Sequence, residues 1–229
     1  MRVLITRPLE DAARTAAALV SAGHEPIIAP IVRIEPLAHE MPWPVDALLA
    51  TSANALRHAA IQDQHRGLPV FTVGDATASE ARSCGFKTVH SAQGDSRDLA
   101  ALVRRQLPAR AKLGYLAGRL RRDGALIALQ DDFSLLTCET YEVVALTKLP
   151  AIAREALGQG TIDAVLHFSQ NAALTFARLV EQAELVSESE RIIHIFIAPS
   201  SALIHLHNRL IARQPTLAGL IEALQDAQK

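Results

Sequence analysis

A strand–corner–helix pattern that is written twice constrains the fold of this chain more than any other feature. Asp46–Leu56 reads DALLATSANAL, and Asp163–Leu174, 117 residues later, reads DAVLHFSQNAAL. In both copies an acidic residue precedes a short apolar run, which is typical of a buried strand. The run leads into Ser-x-Asn, which suits a helix N-cap, and then into alanine-rich sequence that favours helix. The duplicated unit predicts two similar lobes that face each other across a cleft.

The segments around the two copies also recur in the same order. The opening VLITRPLEDAARTAAALV predicts a strand and a helix, and IIAPIVRIEPL predicts a strand interrupted by Pro30. LPVFTVGDATASEAR and its later match RIIHIFIAPSSALIHLH each predict a strand that runs into a helix. This alternation predicts an α/β fold, in which a mostly parallel sheet is flanked by helices with right-handed crossovers. The 229 residues, 49% hydrophobic but only 4% aromatic, suffice for two aliphatic cores.

Composition argues against several classes of partner. The net charge of −1 gives no general affinity for nucleic acid or membrane surfaces, so we expect neither as a partner. No apolar run approaches the ~20 residues of a membrane span, and the N-terminal sequence lacks a signal-peptide layout. Cys84 and Cys138 are far apart and form no Cys-x-x-Cys pattern, which fits a reducing compartment. We therefore expect a cytoplasmic protein.

Motifs for several kinds of chemistry are missing from the sequence. No Gly-x-Gly-x-x-Gly, Walker or Gly-x-Ser-x-Gly pattern occurs, which disfavours dinucleotide, nucleoside triphosphate and acyl-enzyme chemistry. His205 and His207 lie on a predicted helix, where their spacing points the two rings in different directions, and no third ligand is near in sequence. We expect no metal site.

Polar corners follow the predicted strands, where parallel α/β sheets bind their ligands. Each corner stands at a predicted helix N-terminus, where free backbone N–H groups and the helix dipole favour anions. A single Ser, Thr or Asn there can be simply an N-cap, but the number of corners favours ligand contacts by at least three of them. The corners are Thr6-Arg7, Thr51-Ser52-Asn54, Gly74-Asp75-Thr77, Gly118-Arg119, Ser169-Asn171 and Ser200-Ser201.

Two further sets of side chains have two interpretations each. The arginines in or just after the corners either pair with ligand carboxylates or are solvated at the surface. Tyr141, one of only two tyrosines, either packs as an ordinary strand residue or acts as a phenolic proton donor. The arginines are Arg7, Arg57, Arg119, Arg121 and Arg122.

Six short motifs, in this order, are VLITRP, TSANA, VGDATA, TYEVV, FSQNA and PTLAGL. Together they resemble the uroporphyrinogen-III synthase family over essentially the whole chain. The resemblance implies two interleaved lobes, residues 1–35 plus 143–229 as lobe 1 and residues 36–142 as lobe 2. A two-stranded β-ladder would join them, with residues 32–37 against residues 143–147. This replaces the division into two sequence halves that the repeat alone indicates.

The resemblance also implies an activity. The family closes linear hydroxymethylbilane into uroporphyrinogen III, with loss of water and inversion of ring D, and uses no cofactor. The substrate carries acetate and propionate side chains on every ring, which helix N-termini and hydroxyl groups suit. The implied protein is a monomer that receives the substrate from the preceding enzyme of the pathway.

Carried onto this sequence, the family's cleft residues fall on the polar corners and on Tyr141. Tyr141 matches the tyrosine proposed to protonate the departing hydroxyl group of the substrate. The implied substrate-binding residues are Thr6, Arg7, Ser52, Asn54, Gly74, Thr77, Ser169, Asn171 and Ser201. Ala198 stands where the family usually has a glycine. The alternatives are a bilobal small-molecule-binding module without catalysis and an inactive paralogue.

Overall fold

A computed structural model describes residues 1–121, 124–202 and 208–228 of the chain. Arg122, His205 and His207 lie outside the described residues. The described strands are β1 (Arg2–Ile5), β2 (Glu25–Ile28), β3 (Val32–Pro36), β4 (Ala47–Ala50), β5 (Val70–Thr72), β6 (Val89–Ser91), β7 (Lys112–Gly118), β8 (Ser134–Ala145), β9 (Ala164–His167), β10 (Ile193–Phe196) and β11 (Arg209–Ile211). The described α-helices are α1 (Leu9–Ser21), α2 (Ala53–Arg57), α3 (Asp63–Arg66), α4 (Asp75–Ser83), α5 (Ser96–Gln106), α6 (Gly124–Leu129), α7 (Ala151–Gly158), α8 (Gln170–Gln182), α9 (Val186–Arg191) and α10 (Leu217–Asp226).

The chain divides into two compact units. Unit 1 consists of Met1–Arg33 and Val144–Lys229, and unit 2 consists of Ile34–Val143. Each unit contains helices on both faces of a largely parallel sheet, which confirms the predicted α/β class. No helix in the described ranges combines the length and the apolar character that a membrane crossing requires.

Unit 1 is built on a five-stranded parallel sheet in the order β11-β10-β9-β1-β2. The N-terminal strand β1 therefore pairs with β9, a strand of the second sequence copy. Alternate residues of β1 bury opposite faces, as expected for a strand with period two. Leu4 packs in one core with Phe176 of α8, whereas Val3 packs in another with Leu19 of α1 and Leu220 of α10.

Unit 2 is built around the strand order β3-β8-β7-β4-β5-β6. The strands from β4 to β8 are parallel to their neighbours, and both faces of this part of the sheet are buried. One core holds Leu49 and Tyr115 with Leu99 of α5, and the other holds Leu48 with Leu56 of α2 and Tyr141 of β8.

The duplicated pattern forms the predicted strand, corner and helix in both copies. β4 and β9 start at equivalent positions, and α2 and α8 follow them. The Oγ of Ser52 accepts a hydrogen bond from the N–H of Asn54, and the Oγ of Ser169 accepts one from the N–H of Ala172, each at 3.2 Å. The predicted N-cap serines are thereby confirmed.

The acidic residue that opens each copy aligns the strand beside it. Asp46 Oδ2 accepts from the N–H of Lys112 at 2.7 Å, and the N–H of Asp46 donates to the carbonyl of Lys112 at 2.8 Å. Asp163 makes the same pair of bonds with Arg2, at 2.6 and 3.0 Å. β1 is therefore aligned on β9 by the same pair of hydrogen bonds that aligns β7 on β4.

The segment predicted as one strand around Pro30 is two strands in different sheets. Proline has no N–H for a sheet hydrogen bond, and the chain leaves the ladder between Ile28 and Val32. β2 ends in the sheet of unit 1, and β3 lies beside β8 at the edge of the other sheet. Leu37 N–H bonds the carbonyl of Thr140 in unit 2, and Leu146 N–H bonds that of Ile31 in unit 1. The two-stranded ladder between residues 32–37 and 143–147, which would join the lobes, stays a prediction.

The second copy of the strand-to-helix segment also differs from the expectation. The first copy leads into the α-helix α4, whereas the described residues that follow β10 in the second copy include a 3-10 helix, Pro199–Ser201. The histidines predicted to lie further along this helix are among the residues outside the description.

Unit 1 contains a buried pair of histidines on adjacent strands. His167 Nε2 and His194 Nδ1 are 3.0 Å apart, and His194 Nε2 lies 2.9 Å from the carbonyl of Ser189. His167 also stacks on Phe196 with ring centroids 4.7 Å apart. Burial lowers the pKa of both imidazoles, and His194 lowers the pKa of His167 further.

We expect this pair to make unit 1 acid-labile. Because the folded-state pKa values lie below the unfolded value of about 6.5, the unfolded chain binds more protons than the folded chain as pH falls below about 6.5. The free energy of unfolding should be steady above that pH and then fall by up to about 1.4 kcal/mol per pH unit for each histidine. Urea unfolding followed by circular dichroism between pH 8 and 5.5 measures this, with His167→Leu as the control that removes one contribution. A flat profile in the wild type would contradict the expectation.

Candidate functional site

The end of β4 in unit 2 brings two predicted site residues together. The phenol of Tyr141 donates a hydrogen bond to the Oγ of Ser52 at 3.2 Å, and the Tyr141 side chain is only 8% exposed. Thr140 Oγ1 donates to the carbonyl of Ala55 at 2.9 Å and so ties β8 to helix α2. Tyr141 packs in the core, as the first of its two interpretations has it, and its role as a proton donor stays a prediction.

Gly118 makes room for the Tyr141 ring. A Cβ at position 118 would lie 2.8 Å from Cζ and 3.0 Å from the phenolic oxygen of Tyr141. These distances are too short for an ordinary contact, so glycine is required here by close approach. The sequence indicated a corner at Gly118 but not its contact with Tyr141, because the two positions lie on different strands.

The second tyrosine of the chain ends at the same corner. Tyr115 is fully buried on β7, and its hydroxyl group lies 3.1 Å from Oγ1 of Thr51. Both tyrosines in the sequence thus bond to consecutive hydroxyl residues, Thr51 and Ser52. Tyr115 was not among the predicted site residues.

Asn54 is buried beneath this corner and bonded inside the protein. Its Oδ1 accepts from an Nη of Arg57 at 2.8 Å, and Arg57 Nε pairs with Glu80 at 2.9 Å. Arg57 is therefore neither a free cation nor a simple solvated side chain.

Gly74 and Thr77 lie at the start of α4. Gly74 is the N-cap, with extended backbone (φ −146°), and nothing lies within 4 Å of the position that a Cβ would take. Thr77 is buried, and its N–H donates to the carbonyl of Gly74 at 3.1 Å. Because Gly74 has neither a positive φ nor a close neighbour at that position, its backbone does not demand glycine.

Arginines and glutamates alternate beside Tyr141. Arg121 bonds Glu139 at 2.8 Å, and Arg119 bonds Glu142 at 2.9 Å and Glu139 at 3.4 Å. The hydrogen bond from Arg121, followed by that from Arg119, holds the pKa of Glu139 below its usual value. The positive charges of Arg119 and Arg121 are thus balanced by carboxylates of the protein itself.

In unit 1, Thr6 and Arg7 are held at the end of β1. Thr6 is buried, and its Oγ1 donates to the carbonyl of Leu166 at 3.3 Å. Arg7 pairs with Asp11 at 3.0 Å, and its guanidinium lies 4.2 Å from the centre of the Phe168 ring. The carboxylate of Asp11 balances the charge of the guanidinium, and the Phe168 ring makes a cation–π contact with it.

The other predicted residues of unit 1 differ in accessibility. Ser169 and Asn171 are exposed at the start of α8. Ser201 is buried, and its hydroxyl group donates to the carbonyl of Ala198 at 2.6 Å. The side chain of Ser201 therefore closes its own turn.

Two cavities lie away from the predicted residues. One of about 460 Å³ is lined by residues that include Met1, His24 and Asp163 at the start of β1 and β9. Another of about 410 Å³ is lined by residues that include Lys148, Arg154 and Leu179. Within residues 1–121, 124–202 and 208–228, no group of three or more His, Cys, Asp or Glu side chains could hold a metal ion.

The fold and these strand ends define the chain as an α/β protein with two sheet-based units and polar, hydroxyl-rich corners. A family model described as uroporphyrinogen-III synthase HemD matches residues 13–222. The chain belongs to the uroporphyrinogen-III synthase family, whose members are enzymes of tetrapyrrole biosynthesis.

Solved structures show the same fold. The chain is similar to uroporphyrinogen-III synthetase from Helicobacter pylori, with 18% identity, full coverage of both chains and a TM-score of 0.66. It is also similar to a mutant uroporphyrinogen III synthase from Thermus thermophilus, with 16% identity, coverage of 100% of this chain and 98% of the other, and a TM-score of 0.56. A search of curated proteins found no match.

We expect Gly118→Ala to displace Tyr141. The added methyl group would meet the Tyr141 ring, so the variant should lose about 1–3 kcal/mol of stability through overpacking. Gly67→Ala is the matched control, because nothing lies within 4 Å of its Cβ position and its φ is −78°. Thermal melts of both variants measure the difference. Equal melting temperatures for the two variants would show that the Tyr141 ring moves aside without cost.

Proposed function

We propose that this chain cyclises linear hydroxymethylbilane to uroporphyrinogen III, with loss of water and inversion of ring D. The observation that carries the proposal is the family match over residues 13–222. The pairing of Tyr141 with Ser52 supports it, because the departing hydroxyl group needs a proton.

The reaction requires placement more than a nucleophile. The substrate also closes spontaneously, without inversion, to the type I isomer, so the enzyme must decide how the ends of the chain meet. Holding reacting groups in one geometry is itself a large source of rate. Polar residues that directly follow rigid strands can hold the substrate in such a fixed geometry.

We propose that neutral donors bind most of the substrate's carboxylates. In unit 2, Arg57, Arg119 and Arg121 are paired with glutamates, so among the described residues we assign the carboxylates to the first turn of α4, with Gly74 and Thr77. In unit 1 the exposed Ser169 and Asn171 stand at the first turn of α8. Backbone N–H groups at these helix starts favour anions.

The remaining predicted residues would act through their corners. The side chains of Thr6, Asn54 and Ser201 bond internally, so they would shape the backbone that meets the substrate. Arg7, held between Asp11 and Phe168, would supply a positive charge from unit 1.

We further propose that the protein acts as a monomer in the cytoplasm and takes the bilane from the preceding enzyme. Two free cysteines suit a reducing compartment. Direct transfer would shorten the time in which the bilane closes without the enzyme. Light scattering of the purified protein tests the monomer.

The proposed activity predicts a specific product. Freshly made hydroxymethylbilane incubated with this protein should yield the type III isomer, which chromatography separates from type I after oxidation. A mixture in which type I predominates as it does without protein would contradict the proposal, and would favour the binding module or the inactive paralogue.

Tyr141→Phe should slow formation of the type III isomer by about 100-fold, the lower end of what a general acid contributes. The reduction is modest because the hydroxyl group also departs spontaneously. Circular dichroism should show an intact fold, since the variant loses one oxygen and keeps the ring. A wild-type rate would remove the proposed role of Tyr141.

A further inference from the structure

The oxygen of Ser52 is the meeting point of two hydrogen bonds. It accepts from the phenol of Tyr141 and from the N–H of Asn54, both at 3.2 Å. A hydroxyl group has two lone pairs and one proton. With both lone pairs engaged, what Ser52 can still offer is its own O–H, as a donor.

The proton of Tyr141 is directed at Ser52 rather than outward. The phenol is nearly enclosed, with Gly118 against its ring, whereas Ser52 is only half-buried. Because Ser52 is the more exposed residue of the pair, we take its hydroxyl group as the one that a bound molecule meets.

We propose that Ser52 is the catalytic residue that donates a proton to the departing hydroxyl group, and that Tyr141 donates its own proton to Ser52 in the same step. This rests on the proposed function. The substrate's C–O bond breaks, and its oxygen leaves as water with the proton of Ser52. Ser52 takes the phenolic proton and is unchanged, while Tyr141 becomes a phenolate. The proton released from the pyrrole carbon that closes the ring later returns through Ser52 to Tyr141.

Ser52 needs the phenol of Tyr141 as its proton source because a serine hydroxyl group and a phenol differ greatly in acidity. An isolated serine hydroxyl group is a poor acid, whereas a phenol has a pKa of about 10. A concerted transfer delivers the acidity of the phenol without forming a serine alkoxide.

This relay can exist at one corner only. The sequence has two tyrosines, and both bond at the corner after β4. The equivalent corner after β9 has the serine, Ser169, and Phe168 in place of Thr51. Both serines therefore cap a helix, but of the two it is Ser52 that accepts a hydrogen bond from a tyrosine.

The test is a set of variants assayed for the rate of type III formation. Ser52→Gly removes the hydroxyl group while glycine remains an acceptable N-cap. It should slow the reaction about as much as Tyr141→Phe, roughly 100-fold. The double variant should be no slower than either single variant, because residues that act as one unit are not additive. Ser52→Thr, which keeps a hydroxyl group, should recover most of the rate.

Tyr115→Phe is the matched control, since it deletes the neighbouring phenol, which bonds Thr51 instead of Ser52. It should keep the wild-type rate. A proton inventory in mixtures of H₂O and D₂O should be curved for the wild type, because two protons move together, and a role of Ser52 in the helix alone would not produce this curvature.

Three outcomes overturn the relay. A wild-type rate in Ser52→Gly with a slow Tyr141→Phe would show that Tyr141 protonates the substrate directly. Multiplied losses in the double variant would show two independent roles. If the wild-type protein itself yields no type III isomer, the proposed function fails together with the relay, whereas in the first two outcomes that function stands.

Discussion

The rest of the structure depends on the aspartate that opens each copy of the repeat. Asp46 and Asp163 each exchange two hydrogen bonds with the first residue of the neighbouring strand, Lys112 in one sheet and Arg2 in the other. These bonds set the register of β7 on β4 and of β1 on β9, and so decide which residues of the two strands lie beside the ends of β4 and β9. The N-terminal strand is thereby bound to the second copy, so the first and last parts of the chain share one sheet.

The same registers determine which candidate residues can act together. β7 continues beyond its pairing with Ala50, and its last residue, Gly118, pairs with Tyr141 of β8. The phenol reaches Ser52 because the glycine leaves space for its ring. Arg119 and Arg121 beside this corner are paired with Glu142 and Glu139, so these two described cations are neutralised within the protein.

Local sequence patterns predicted local structure well. The strands and the cap serines of the repeat formed where expected, because an apolar run and an N-cap act within a few residues. Pro30 was recognised as an interruption, but not as the point where the chain changes sheets. The hydroxyl group of Ser201 closes its own turn, and the phenol of Tyr115 bonds Thr51, neither of which a strand or cap pattern specifies.

The sequence by itself determined the α/β class, the two strand–corner–helix copies and the family, since all three are written in order and spacing along the chain. The tertiary structure alone decided that β1 pairs with β9, that Gly118 yields space to Tyr141, and that Ser52 accepts the hydrogen bond of the phenol. These contacts join residues that are far apart along the chain. Their partners are selected by strand register and side-chain packing in three dimensions, which no local pattern records.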